Sequence, residues 1–265
     1  MDVPAGAEQL HPARSDLNEI IRFRYGGLDN MGWSPRMRLR FGYFTPDEFY
    51  EAVVKKLVRS RLSWLDVGSG RHIFPGNEPL AYHLADRCAE LVGVDPDPTI
   101  DDNRIVRHRV KLPIEEFRTD QVFDVITMRM VAEHIAQPDL VLESLARLTK
   151  QGGRVVVYTV NKWSPVTLAS WLTPFWLHHP LKRLLWRSEE RDTFPVRYAM
   201  NTRERLSALF ESHGFSERHF AYLDDCRTLS RFRALHFLEL SAWQIARSVG
   251  LRYPENCLLG VYERA

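Results

Sequence analysis

Trp64-Leu65-Asp66-Val67-Gly68-Ser69-Gly70 sets three apolar residues around one carboxylate and closes the run with two glycines a residue apart. The run reads as a buried strand and the glycines as a tight turn. Residues 78–87 then read as a helix, and Leu91-Val92-Gly93-Val94 as a second short strand ending at Asp95-Pro96. Such a pair makes physical sense as a nucleoside site. Glycines let a ligand approach the backbone, and a carboxylate at the tip of the neighbouring strand can accept both hydroxyls of a ribose. A dinucleotide turn needs a further glycine to present a helix N-terminus to pyrophosphate, and that position is Ile73 here.

Upstream, Thr45-Pro46-Asp47-Glu48 is a helix start. Thr45 can cap, Pro46 suits the first helical position, and Glu48 completes a capping box ahead of Phe49, Val53, Val54, Leu57 and Val58. A helix over about 46–60 is expected. Downstream, the pattern predicts strands at 104–109 and 122–128, a helix over 138–150 ended by Gly152-Gly153, and a valine-rich strand at 154–159. A helix over 202–213 opened by Asn201, a strand near 215–223, a helix near 228–249 and a last strand near 257–262 complete the reading. Strand and helix alternate, the signature of an α/β fold whose parallel sheet is covered on both faces. Residues 1–44 and 162–200 stand outside this rhythm and are expected to face substrate.

The 265 residues are 45% hydrophobic and 26% charged, which sets aside disordered and fibrous classes. Basic and acidic residues number 36 and 34, so no global field draws the chain to nucleic acid, which is not an expected partner. Cys88, Cys226 and Cys257 are too far apart for a CxxC pair and odd in number, so a reducing cytoplasm is the expected home. No apolar h-region occurs in the first thirty residues, so no signal peptide is expected. From Trp163 to Leu181 no residue carries a formal charge, but Pro165, Pro174 and Pro180 break any continuous span, which favours a lid or an interface-dipping segment.

Five segments in order resemble the class I methyltransferases that use S-adenosylmethionine, in the small-molecule branch of the ubiquinone-biosynthesis type. Leu65 to Gly70 resembles their first motif, Gly93 to Pro98 the acidic second, and Pro113 to Phe117 the loop that brackets adenine. Phe123 to Ile135 is similar to the fourth strand and its turn, and Leu148 to Asn161 to the fifth strand. His72 stands where the family's third glycine usually falls, so a wider turn, or a His72 reaching toward the cofactor, is expected. The resemblance implies a Rossmann-like seven-stranded sheet with helices on both faces. It divides the chain into a helical extension or lid over 1–44 and a methyltransferase domain over 45–265 carrying a lid insertion at 162–200.

Residue by residue, the resemblance implies S-adenosylmethionine as cofactor. Asp66 would lie near its methionyl ammonium, and the backbone of Gly68, Ser69 and Gly70 would line its methionyl and ribose parts. Asp95, followed by Pro96, would accept the ribose hydroxyls, Ile114 and Glu115 would bracket the adenine, and Met128 and Arg129 would close the pocket beneath the sulfonium. No metal site is expected.

Methyl transfer from a sulfonium is mainly a matter of alignment, and a general base helps only where the nucleophile carries a proton. The candidates are His134, after the fourth strand, and His178, beside His179 in the insertion. Trp163, Trp171, Phe175, Trp176 and Trp186 suit a small, largely apolar acceptor, methylated at oxygen in the preferred reading. The same aromatics could form a subdomain core, and with Lys182, Arg183 and Arg187 they leave 163–187 open as a peripheral membrane contact. RNA or protein modification and a non-catalytic scaffold are the alternatives. Oligomeric state is not legible.

Overall fold

The Thr45 capping box forms as its residues dictate. The Thr45 hydroxyl accepts the Glu48 N–H at 3.3 Å, and the Glu48 carboxylate accepts the Thr45 N–H at 2.7 Å. The computed structural model describes residues 10–165, 167 and 195–265. Helices α1 (Arg14–Tyr25), α2 (Trp33–Phe41) and α3 (Pro46–Leu57) lead into β1 (Ser63–Val67), α4 (Glu78–Arg87) and β2 (Glu90–Val94). Then come β3 (His108–Val110), β4 (Phe123–Arg129), α5 (Pro138–Leu148) and β5 (Thr149–Val160). Among the described residues α6 (Arg203–Ser212), β6 (Phe215–Asp224), α7 (Arg233–Ser248) and β7 (Glu255–Arg264) follow.

The sheet order is β3-β2-β1-β4-β5-β7-β6, with β1 to β5 parallel and β7 antiparallel to both β5 and β6. This is the seven-stranded α/β sheet of class I methyltransferases. Side chains alternate between its faces. Trp64, Val125, Val156 and Tyr158 pack with α1, α3 and α4, while Leu65, Val67, Ile126, Met128, Val155 and Val157 pack with α5 and α6. Both faces are buried, which is why these strands read as continuous apolar runs.

Four local expectations are corrected, each by a side chain or turn that claims the backbone. Gly152-Gly153 do not end α5: Thr149 is already extended, and the glycines form a bulge in β5, which advances from Thr149 to Arg154 while β4 advances from Phe123 to Val125. The third strand covers only 108–110, because Asn103 Oδ1 accepts the Ile105 and Val106 amides at 3.0 and 3.2 Å and holds a turn there. Thr202, not Asn201, caps α6, accepting the Arg205 N–H at 3.2 Å. Finally, α7 starts at Arg233, since turns at Ser230 and Phe232 and a Leu229 bond to Glu239 occupy the preceding stretch.

Residues 10–44 are tied to the sheet-bearing part by buried polar contacts. Arg24 pairs with Glu51, whose other oxygen accepts from Asn77 at 2.6 Å, and burial pushes the Glu51 carboxyl up to about 7. Arg38 grips Glu48 with three hydrogen bonds of 3.0–3.1 Å. The Tyr43 hydroxyl donates to Asp224 O at 3.0 Å and accepts from Cys226 N at 2.9 Å, closing a small cluster with Leu240 and Trp243 of α7.

Candidate functional site

The chain turns left from β1 to β2 and then returns to β4 on the other side of β1, so the carboxyl ends of β1 and β4 flank a topological switch point, where open α/β sheets bind ligands. Register brings Asp66 opposite Gly93 on one side and Thr127 on the other. Gly68 has φ +74° and donates its N–H to Val94 O at 2.8 Å, and a Cβ there would overlap the Val131 side chain. Glycine is required at that position by conformation and by space. Gly93 has no room either: a Cβ would stand 2.6 Å from Ser69 Oγ.

Asp66 is buried. Its Oδ1 accepts the Thr127 hydroxyl at 2.6 Å, and Thr127 in turn accepts from Trp64 Nε1 at 2.7 Å. Burial dominates over the Thr127 bond and pushes the Asp66 carboxyl up to about 7. Among the described residues no cation forms an ion pair with it. Tyr50, stacked on Tyr158 with ring centroids 5.1 Å apart, buries its hydroxyl close enough to sense the Asp66 charge.

Asp95 binds the turn itself. Its Oδ2 accepts Gly70 N–H and its Oδ1 accepts Asp97 N–H, both at 2.8 Å, and burial raises its pKa. Each oxygen retains a lone pair. Pro96 is exposed, Ile114 buried and Glu115 half-buried in the loop after β3. Met128 and Arg129 part company: Met128 is wholly buried on the α5 face, whereas Arg129 turns to the α3 face and donates to Asp47 at 2.8 Å. Asp47 also accepts from Arg227 at 2.6 Å, and these two guanidiniums outweigh burial to hold its carboxyl well below the usual carboxylate range.

His72 pairs with Glu78, its Nδ1 3.2 Å from Oε1, at a site where both side chains are exposed. His134 ends a short 3-10 turn (Ala132–His134) after β4, half-buried, with Nδ1 3.2 Å from Pro195 O. Its neighbour Glu133 is buried and accepts from Thr159 at 2.7 Å, and burial raises its pKa. His178, His179 and the aromatic residues from Trp171 to Trp186 lie outside the described residues. Among the described residues no group of three His, Cys, Asp or Glu gathers where a metal could bind, and no helix is long and apolar enough to cross a membrane.

Sequence reasoning missed three contributors. Asn103, fully buried, donates to Ser69 O at 3.3 Å and Gly70 O at 3.1 Å and so pins the glycine turn from below. Thr127 holds Asp66, and only strand pairing brings it there. Met130 sits at φ +52°, a conformation that L side chains rarely adopt, where its N–H reaches Tyr158 O at 2.7 Å. Of the three, only an asparagine shortly after Asp95 had a signal that could be read in advance, as a turn former.

A seven-stranded sheet of this order, with a glycine turn and two carboxylates at its switch point, defines the methyltransferase class. The chain belongs to the methyltransferase-domain family, which it matches over residues 41–219, and that family's cofactor is S-adenosylmethionine. Similar proteins include the ubiquinone biosynthesis O-methyltransferases of Nitrosomonas europaea, 30% identical over 47% of this chain and 51% of the relative, and of Acinetobacter baylyi, 26% identical over 38% and 50%. The matched stretch thus spans about half the length of these curated relatives. The solved structure of the cyclase SpnF shares the fold, with a TM-score of 0.50 at 15% identity over 82% of this chain and 81% of that one.

Proposed function

We propose that the protein transfers a methyl group from S-adenosylmethionine to a small, largely apolar organic acceptor, at oxygen. The observation that carries this reading is the junction of Asp66, the Gly68–Gly70 turn and Asp95. A buried carboxyl raised to about 7 with no ion-pair partner among the described residues suits an ammonium, and a rim carboxylate with free lone pairs suits a ribose diol. The glycine turn keeps the backbone bare between them. The residues therefore fit the cofactor.

When bound, S-adenosylmethionine supplies an electrophilic methyl on a sulfonium. Asp66 would hold the amino-acid arm, and the backbone of Gly68, Ser69 and Gly70 would line it. Asp95 would orient the ribose, with Ile114 packing on the adenine and Glu115 at its edge. Arg129, fixed by Asp47, and the strained Met130 form the rim at the end of β4 where an acceptor would approach. His134 is the candidate to take a proton from an acceptor hydroxyl, and His178 would serve from the insertion.

Similarity to the two ubiquinone biosynthesis O-methyltransferases supports an oxygen acceptor. Calorimetric titration with S-adenosylmethionine, its demethylated product and NAD tests the cofactor, and tighter NAD binding would overturn it. A labelled-methyl screen of lysate metabolites tests the acceptor. Shortening the 162–200 insertion should abolish transfer while cofactor binding persists, since the cofactor ligands all lie between residues 66 and 129. Its aromatic and basic residues also suit contact with a membrane surface, which vesicle sedimentation with and without the insertion would read.

A further inference from the structure

Ser34, His236 and Glu239 form a hydrogen-bonded row where α2 meets α7, two helices that carry none of the cofactor-site residues. His236 is fully buried, with Nε2 3.0 Å from Ser34 Oγ and Nδ1 3.3 Å from Glu239 Oε2. The Leu229 amide donates to that same Glu239 oxygen at 3.2 Å, so the oxygen acts as an acceptor and the ring proton belongs on Nδ1. Nε2 is then left with its lone pair toward the Ser34 hydroxyl. Nucleophile, base and orienting carboxylate are in contact, in the tautomer a general base needs.

The surroundings add hydrogen-bond donors for developing negative charge. Ser34 is half-buried in the first turn of α2, where the Trp33 and Ser34 amides have no intrahelical acceptor and the helix terminus favours negative charge. Donors for an oxyanion therefore stand beside the nucleophile. The Trp33 ring lies edge-on to His236 at 6.1 Å, with the Arg233 guanidinium 5.9 Å from its centre, so an aromatic ring and a cation stand beside the row.

We propose that Ser34, His236 and Glu239 form a second catalytic centre, which hydrolyses small carboxylic esters. His236 Nε2 takes the Ser34 hydroxyl proton as Oγ bonds to the ester carbonyl carbon and the carbonyl electron pair moves onto oxygen. That pair returns as the bond to the alcohol oxygen breaks, and His236 gives its proton to the departing alkoxide. Water, deprotonated by His236, then attacks the acyl-serine, releasing the carboxylic acid and restoring the hydroxyl. Glu239 is a positioning residue that holds the ring.

The test exposes the full chain to a fluorophosphonate, maps the adduct by mass spectrometry, and follows hydrolysis of p-nitrophenyl esters from acetate to octanoate. Label on Ser34 and ester turnover are expected. Ser34→Ala should lose both, turnover falling about a hundredfold or more, while the variant still unfolds cooperatively, at a somewhat lower temperature because His236 Nε2 loses its partner, and binds S-adenosylmethionine unchanged. Glu239→Gln keeps an acceptor for the Leu229 amide but should lower the plateau rate and move the acid limb of the pH profile to lower pH, which a merely structural role would not do. Absence of label on Ser34 in the folded protein, or undiminished turnover in Ser34→Ala, overturns the proposal.

Discussion

Titrating Asp66 should be visible as a pH-dependent cofactor affinity. Its carboxyl is pushed up to about 7 by burial, and the ligand proposed for it carries an ammonium. Only the carboxylate attracts that ammonium, so binding competes with a proton and the apparent dissociation constant scales as one plus the ratio of proton concentration to the acid constant. Between pH 6 and pH 7.5 that factor falls from about 11 to about 1.3, an affinity gain of roughly eightfold or about 1.2 kcal/mol. Above pH 8 the gain should reverse as the cofactor's own amine, with a pKa of about 8, loses its charge. Asp66→Asn keeps the shape and an acceptor for Thr127. It should flatten the acid limb and weaken binding by about 1.5–3 kcal/mol. Stability moves the other way. A folded pKa above the ordinary value of 3.8 contributes stability that is fully present below 3.8 and is lost as pH rises through about 7, so Asp66→Asn should unfold at the same or a higher temperature than the native chain at pH 8. Calorimetric titration at four pH values on both proteins, with thermal unfolding alongside, is the assay. A native affinity that does not vary from pH 6 to 7.5 would refute the placement of the ammonium at Asp66.

Other outcomes follow from single contacts. Asp95→Ala should lower S-adenosylmethionine affinity by about 1.5–3 kcal/mol, roughly ten- to a hundredfold or somewhat more, while also freeing the Gly70 amide; unchanged titration in a folded variant would place the nucleoside elsewhere. Gly68→Ala should destabilise by about 2 kcal/mol through positive φ and overlap with Val131, and adding Val131→Ala should recover part of that loss in denaturant unfolding. Arg38→Ala strands Glu48 in the interior and should cost about 3–5 kcal/mol, read as a lower urea midpoint; a loss under 1 kcal/mol would show that the Arg38–Glu48 pair does not hold the 10–44 segment in place.

Much of the framework was legible in the chain because it is written in local patterns. The box at Thr45 to Glu48 and the strands ending at Val67 and Val94 follow from caps, apolar runs and glycine placement, and Asp66, Gly68 and Asp95 stand out because few other uses explain two strand tips of that composition. The five ordered segments carry the class in their order and composition. What no local pattern contains is partnership across the sheet. Thr127 reaches Asp66 only through the pairing of β1 with β4, and that partner together with burial decides how readily the Asp66 carboxyl ionises. Arg129 and Met128 are neighbours in sequence, yet the pleat sends one to Asp47 and the other into the α5 face. The row from Ser34 to His236 joins residues 202 positions apart, and the turn of Met130 opposes its own preference. Sequence determines which segments become strands and where glycine must stand; long-range register and burial decide which side chains meet and what charge they carry.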